Sequence, residues 1–167
     1  AFASLAAIIV VMGCLLFWAA GTLDYWQGWV FLASYSVASL VLTLYMLRND
    51  PALLQRRMRG GPFAEKEPAQ KLIMLIASAG FIALLLVPAL DRRFAWSHMP
   101  AIIALLGNAV MAFGWFAIYR VFRENSFTSA TIEVAQDQTV ITSGPYARVR
   151  HPMYAGAMLY LVGIPLL

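Results

Sequence analysis

The sequence predicts an all-α integral membrane protein, a bundle of about five transmembrane helices of which the last is truncated. Of its 167 residues, 62% are hydrophobic and 12% are charged, whereas soluble domains average about 45–50% apolar and about 25% charged residues. Four uncharged runs also reach the roughly 20 residues needed to cross a hydrocarbon core of about 30 Å. The excess of hydrophobic residues over the content of a soluble domain is therefore explained by burial in a lipid bilayer. The length of the chain predicts a single membrane domain, residues 1–167.

The predicted spans cover about residues 2–23, 27–47, 72–90, 100–120 and 152–167. The first run lacks a basic n-region, is too long for the apolar core of a signal peptide and is followed at once by the second run. We therefore interpret it as a transmembrane helix rather than a signal peptide. The fifth run is slightly short for a span and ends without an anchoring residue, and the chain does not begin with Met. We therefore expect residues to be missing at both ends.

The distribution of basic residues predicts the orientation. Ten of the 12 lysines and arginines lie in the loops 48–71 and 120–151, and the opposite side holds only Arg92 and Arg93. Because cytoplasmic loops carry the excess of Lys and Arg, the N-terminus and both larger loops are predicted to be cytoplasmic. Arginine also outnumbers lysine, which favours a bacterial protein and hence an inner-membrane location.

A short amphipathic helix is predicted in the first of these loops. Asn49-Asp50-Pro51 is a helix N-cap followed by proline at the first helical position. Leu54 and Met58 then stand four residues apart on one face. The pattern is typical of a helix on the cytoplasmic leaflet whose arginines approach anionic head groups, although the positive-inside bias alone also explains those arginines.

A reactive stretch, Gly144–Gly156, lies where the second cytoplasmic loop enters the last apolar run. It combines an imidazole, two guanidiniums, two phenols and two prolines. His151 can donate, accept or shuttle a proton, because imidazole titrates near neutral pH. Arg148 and Arg150 can each hold a carboxylate or a phosphate with paired hydrogen bonds. The stretch is therefore the candidate functional site.

The backbone and the aromatic residues of the stretch support the same interpretation. A helix that begins at Pro152 presents free N–H groups to an anion. Tyr146 and Tyr154 offer ring faces to a purine or a cation, and Gly156 permits close approach of a ligand or of a neighbouring helix. Residues 146–150 are predicted to form one helical turn, and the β-branched segment 128–143 is predicted to be extended.

Several other kinds of site are excluded by the sequence. Its two histidines are predicted to lie on opposite sides of the membrane and its single cysteine lies in the first span, so no metal site is expected. A nucleophile elbow of the hydrolase type is absent from the sequence. Because the positive-inside rule explains the basic residues, we expect no nucleic-acid partner.

The reactive stretch resembles the signature of the isoprenylcysteine carboxyl methyltransferase and phospholipid methyltransferase superfamily. The similarity is carried by Gly144-Pro145-Tyr146 and by Arg150-His151-Pro152-Met153-Tyr154 with Gly156. Asn125-Ser126 and Thr139-Val140-Ile141 support it upstream. The resemblance is strong from about Asn125 to Gly156 and rests on hydropathy elsewhere.

The resemblance implies S-adenosylmethionine as methyl donor, bound by the cytoplasmic loop and the turn before the last helix. The cofactor-binding residues that it implies are Val140, Ile141, Gly144, Pro145, Tyr146, His151, Pro152, Tyr154 and Gly156. Arg150 and His151 are the candidate catalytic residues, and Asn125 and Arg148 are the candidate substrate-binding residues. A lipid or prenylated acceptor would enter from the bilayer between helices. The family also has a glutamate pair in a later C-terminal segment, which we expect to lie beyond residue 167.

The implied function is methyl transfer to a lipid-like acceptor, similar to isoprenylcysteine carboxyl O-methylation. A carboxylate acceptor needs only an arginine to orient it, whereas an amine acceptor needs a base such as His151, and the sequence does not choose between them. One alternative is an NADPH-dependent sterol-type reductase, which has a similar Arg-x-Pro-x-Tyr turn but usually has Asn where Met153 stands and an acidic residue where Ala157 stands. The other alternative is a non-catalytic membrane lipid-binding protein.

Overall fold

The computed structural model describes residues 1–60, 67–128 and 140–166, and within these ranges all regular secondary structure is helical. The helices are α1 (Phe2–Ala20), α2 (Trp26–Asn49), α3 (Pro51–Met58), α4 (Pro68–Phe94), α5 (Ala101–Glu124) and α6 (Pro152–Gly163), with 3₁₀ turns at Gly144–Ala147 and Ile164–Leu166. In these ranges, four helices, α1, α2, α4 and α5, are long and apolar enough to cross a membrane. The predicted all-α membrane bundle is confirmed.

The predicted element boundaries differ from the structure mainly around the last helix. The run 152–167 forms a 12-residue helix, α6, which is followed by the second 3₁₀ turn. The helical turn predicted for 146–150 was wrong in its position, because the structure has a 3₁₀ turn at Gly144–Ala147. Its backbone is set by Gly144, which has a φ of 56°, and by the fixed φ of Pro145. Most of the segment predicted to be extended, residues 129–139, lies outside the described residues.

The α5–α6 pair is held together by glycines that bring the two backbones into contact. A Cβ atom added to Gly114 would lie 2.6 Å from the backbone nitrogen of Tyr160 and 2.7 Å from the carbonyl oxygen of Gly156. One added to Gly163 would lie 2.6 Å from the carbonyl oxygen of Gly107. Only glycine allows this approach, and small residues of this kind are typical of helix interfaces in membranes. The helix α6 is thereby fixed against the part of α5 that holds Gly107 and Gly114, with the two helices running in opposite directions.

The short helix α3 packs against the end of the bundle. Asp50 caps it by accepting a hydrogen bond from the backbone N–H of Leu53 at 2.9 Å, as the sequence predicted. Leu53 and Leu54 are buried in a cluster with Leu42, Met46, Ile118 and Phe122. Met58, which was predicted to share the apolar face, is 52% exposed, because the helix turns its Leu53 side to the protein instead. The helix α3 therefore joins α2 to the end of α5.

Candidate functional site

The first 3₁₀ turn, Gly144–Ala147, packs against the last residue of α5 and is called the 3₁₀ turn from here on. Ser143 donates a hydrogen bond from Oγ to the Glu124 carboxylate. The same carboxylate covers Gly144, where an added Cβ atom would lie 2.7 Å from Cδ of Glu124. Gly144 also has positive φ, which side-chain-bearing residues rarely adopt. Two independent constraints thus require glycine here, and together they hold the turn against α5.

A second link joins the turn to the residue that follows α5. The side chain of Asn125 donates from Nδ2 to the phenol oxygen of Tyr146 at 2.8 Å. Its Oδ1 accepts a hydrogen bond from the backbone N–H of Phe127 at 2.9 Å, so the orientation of the amide is fixed. The sequence assigned Asn125 to the substrate and Tyr146 to the cofactor, and the structure brings the two side chains together.

The start of α6 presents an imidazole and a phenol side by side. The ring centroids of His151 and Tyr154 are 5.6 Å apart and the ring planes are inclined by 30°. His151 is exposed and Tyr154 is 68% exposed, so both rings are accessible to a ligand. Pro152 is buried at the first helical position, and the first-turn N–H groups of α6 have no partners within the helix. An aromatic surface and an anion-favouring helix end therefore lie together.

A groove of about 680 Å³ runs along α5 beside this turn. Its lining residues are Phe113, Phe116, Ala117, Arg120, Gly144, Pro145, Ala147, Arg148, Val149, Pro152 and Ala155. The part toward the middle of α5 is apolar, because Phe113 and Phe116 lie there. The part near the end of α5 carries the guanidinium-bearing side chains Arg120 and Arg148. The groove is thus amphipathic along its length, with a cationic mouth beside the 3₁₀ turn.

The positive charge of the mouth is available to a ligand. Within residues 1–60, 67–128 and 140–166, the structure pairs neither Arg120 nor Arg148 with a carboxylate, and the ion pair found there joins Arg92 to Asp24. Glu124 is near the turn, but its carboxylate accepts a hydrogen bond from Ser143. Guanidinium groups form paired hydrogen bonds with carboxylates and phosphates. The mouth is therefore suited to an anionic group.

The structure divides the predicted site residues into three groups. Those that line the groove are Gly144, Pro145, Arg148 and Pro152. Those that lie outside its lining and are exposed or half-buried are Val140, Ile141, Arg150, His151 and Tyr154. Those that make internal contacts are Asn125, Tyr146 and Gly156. The alternative role of Gly156, close approach of a neighbouring helix, is the one that the structure displays.

Sequence reasoning missed the contribution of α5 to the site. The groove residues Phe113, Phe116 and Arg120 lie in one apolar-to-basic run that was interpreted only as a span and its cytoplasmic end. Their spacing of three and four residues does place them on one helix face, and this was the available signal. Glu124 gave no comparable signal, because its partner Ser143 is separated from it by a loop.

The described geometry can be compared with known proteins. Residues 102–167, which contain nearly all of α5, the 3₁₀ turn and α6, match a family described as phospholipid methyltransferase. This segment is therefore similar to phospholipid methyltransferases. The match confirms the resemblance that the Arg-His-Pro-x-Tyr turn indicated, in the part of the chain that carries the groove. The comparisons with curated proteins and with solved structures gave no match.

Proposed function

We propose that this protein transfers a methyl group from S-adenosylmethionine to a lipid-like acceptor held in the α5–α6 groove. The observation that carries the proposal is the placement of the groove. Its apolar part faces the region where lipid is expected, and its cationic mouth adjoins the turn that bears the family motif. The family description names phospholipids as the substrates of its members, which supports a lipid acceptor.

The residues at the turn suit S-adenosylmethionine. The accessible rings of His151 and Tyr154 can stack with its purine, and the first-turn N–H groups of α6 can bind its carboxylate. Arg150 is exposed close to the same helix end and offers a second anion contact. When bound, this cofactor supplies a methyl group that its sulfonium makes electrophilic. The protein contributes orientation and the exclusion of water.

The acceptor would lie with its tail against Phe113 and Phe116 and its head group at the mouth. There Arg120 and Arg148 would orient a carboxylate toward the methyl group. The S–C bond to the methyl group breaks and an O–C bond forms, so no proton has to leave. For an amine acceptor an N–C bond forms and a proton must leave, and His151 is the candidate base. The cationic mouth favours the carboxylate acceptor, as in isoprenylcysteine-type O-methylation.

The proposed location is the cytoplasmic face of a bacterial inner membrane. The excess of basic residues in the loops on the groove side supports this orientation through the positive-inside rule. Both substrates can then reach the site, since the lipid enters from the bilayer and the soluble cofactor enters from the cytoplasm.

The test is a transfer assay with S-adenosylmethionine labelled in its methyl group. The protein is reconstituted with a lipid extract that includes prenylated and phospholipid acceptors, and the label in the organic phase is counted. We expect labelled lipid that depends on His151 and that releases labelled methanol in alkali, because a methyl ester is base-labile. Base-stable label would indicate N-methylation. Absence of labelled lipid, with labelled cofactor left intact, would contradict the proposal.

A further inference from the structure

The helix α3 makes its polar contacts with the segment that follows α5, about 70 residues later in the chain. Arg56 donates from Nη2 to the carbonyl oxygen of Ser126. Arg57 donates from Nη1 to the carbonyl oxygen of Thr128 at 3.5 Å. The sequence expectation was that these arginines approach anionic head groups, but the structure directs both guanidiniums to backbone carbonyls.

Arg57 is held from a second side by an aromatic ring. Its guanidinium carbon lies 4.7 Å from the ring centroid of Phe122, which is only 4% exposed. Burial lowers the pKa of Arg57, but arginine side chains remain protonated in proteins at neutral pH. A cation over a buried ring is attracted to it more strongly than at an exposed site. Arg57 is thus a fixed contact between α3 and the last turn of α5.

The contacted segment orients Asn125. The chain leaves α5 in an extended conformation at Asn125, whose Oδ1 accepts from the backbone of Phe127. The carbonyl oxygen of Asn125 accepts from the hydroxyl of Thr128 at 2.8 Å. Each of these bonds depends on the path of residues 126–128, and the two arginines hold that path through the carbonyls of Ser126 and Thr128. The remaining polar atom of the amide, Nδ2, then points at Tyr146.

We propose that Arg56 and Arg57 form a clamp that positions Asn125 and, through the Asn125–Tyr146 hydrogen bond, the 3₁₀ turn beside the groove. The order of contacts is α3, then segment 126–128, then Asn125, then Tyr146. The arginines are positioning residues, because they reach the site only through other side chains. The predicted effect on cofactor affinity rests on the proposed function, whereas the predicted effect on the rigidity of the 3₁₀ turn does not.

The first test is hydrogen exchange, which needs no ligand. In the 3₁₀ turn, the N–H of Tyr146 bonds to Ser143 and the N–H groups of Arg148 and Val149 bond to Pro145. For Arg57→Met in nanodiscs we expect the amides of residues 144–149 to exchange about tenfold faster, as loss of a hydrogen bond to a charged group implies. Arg57→Lys keeps the charge over the ring and should restore part of the protection.

The control is Arg59→Met, because Arg59 is exposed on the C-terminal end of the same helix. It should leave exchange at residues 144–149 unchanged. Amides of α1 and α4 must keep wild-type protection in every variant, which shows that the bundle is folded. If Arg57→Met unfolds the bundle, Asn125→Ala replaces it, since this change breaks the link beyond the clamp. Wild-type exchange at 144–149 in either folded variant overturns the proposal.

The second test is a double-mutant cycle on the affinity for S-adenosylhomocysteine, the product form of the proposed cofactor. Arg57→Met and Asn125→Ala should each weaken binding about tenfold, and the double variant should be little weaker than either single one. If the loss of affinity in the double variant equals the product of the two single losses, the two residues act independently and the clamp is overturned. If the wild-type protein binds no S-adenosylhomocysteine, the proposed function fails while the exchange experiment still decides the clamp.

Discussion

The two ends of the helix bundle use their charged side chains differently. At the end where α1 meets α2, Arg92 lies 3.9 Å from the Asp24 carboxylate and donates to its backbone oxygen at 3.2 Å. Asp91 accepts from the backbone N–H and the hydroxyl of Ser97 at 2.7 and 2.8 Å. At the end with α3 and α6, Arg120 and Arg148 line a groove and have no carboxylate partner in the described parts of the chain.

Both ends contain an open cavity, so a cavity alone does not identify the site. The one at the α1–α2 end has a volume of about 340 Å³ and is lined by charged residues and by His98. Its carboxylates and Arg92 already serve the connections between helices. The groove end combines an apolar wall, the motif that resembles the family, and two arginines that have no carboxylate partner among the residues that the structure describes. The comparison teaches that arginines without a carboxylate partner in the described residues, placed beside an apolar wall, distinguish the candidate site from an ordinary surface cavity.

Substitution of the two histidines, one at each end of the bundle, should give the largest difference in activity between the two ends. His151→Ala should lower the rate of methyl transfer at limiting cofactor about tenfold or more, because it removes one stacking face of the proposed cofactor site. His98→Ala should leave the rate unchanged. The measurement is the transfer rate of each variant at a cofactor concentration below the KM of the wild-type protein. Equal losses for the two variants would break the distinction between the ends.

The glycine contact between α5 and α6 should be sensitive to the addition of a single methyl group. Gly114→Ala places a methyl group against the backbone of α6 and should destabilise the protein by about 1–3 kcal/mol, as overpacking does. Gly80→Ala is the matched control, because an added Cβ atom there meets nothing within 4 Å. This variant should be neutral or more stable by up to about 1 kcal/mol. Thermal unfolding in nanodiscs measures both, and a stable Gly114→Ala protein would contradict the packing.

The arginines of the groove mouth should affect the acceptor more than the cofactor. Arg120→Gln and Arg148→Gln should each raise KM for an anionic acceptor about tenfold, since each removes a charge-assisted hydrogen bond. KM for the cofactor and the melting temperature should change little. Arg92→Gln, at the other end, should change neither KM. Steady-state kinetics with the acceptor varied will decide, and an unchanged acceptor KM in both groove variants would remove these residues from the acceptor site.

The ion pair at the opposite end should give the smallest effect. Asp24 is 95% exposed and Arg92 is 47% exposed, and exposed pairs contribute about 0–1 kcal/mol because water and salt screen them. Asp24→Asn should therefore lower the melting temperature by only a few degrees at most and leave methyl transfer intact. The melting curve and the transfer rate can be measured on one preparation. A large loss of activity would show that the α1–α2 end takes part in function.

The sequence predicted the helices well because the pattern that carries them is local. Uncharged runs marked α1, α2, α4 and α5, and an N-cap with a following proline marked the start of α3. The motif stretch also marked the turn, since it concentrates unusual residues. Each of these signals is contained within about 25 consecutive residues.

The site itself was predicted only in part because its contacts are long-range. The pairing of Glu124 with Ser143 and of Asn125 with Tyr146 crosses a loop, and the clamp on segment 126–128 starts in α3. Hydropathy cannot tell an arginine that reaches a backbone carbonyl from one that faces lipid head groups. The 3₁₀ turn likewise depends on the positive φ of Gly144 and on the contact of Gly144 with the Glu124 side chain, which comes from another element.

Calorimetric titration of the protein in nanodiscs with S-adenosylhomocysteine, followed by NADPH, decides whether the groove end is the site of a methyltransferase or of an NADPH-dependent reductase. The proposed function predicts saturable binding of S-adenosylhomocysteine that His151→Ala and Tyr154→Ala weaken about tenfold or more and that His98→Ala leaves unchanged. It also predicts no binding of NADPH. Binding of NADPH instead, or equal affinity of the wild-type and both motif variants for S-adenosylhomocysteine, would contradict the assignment of the turn as the cofactor site.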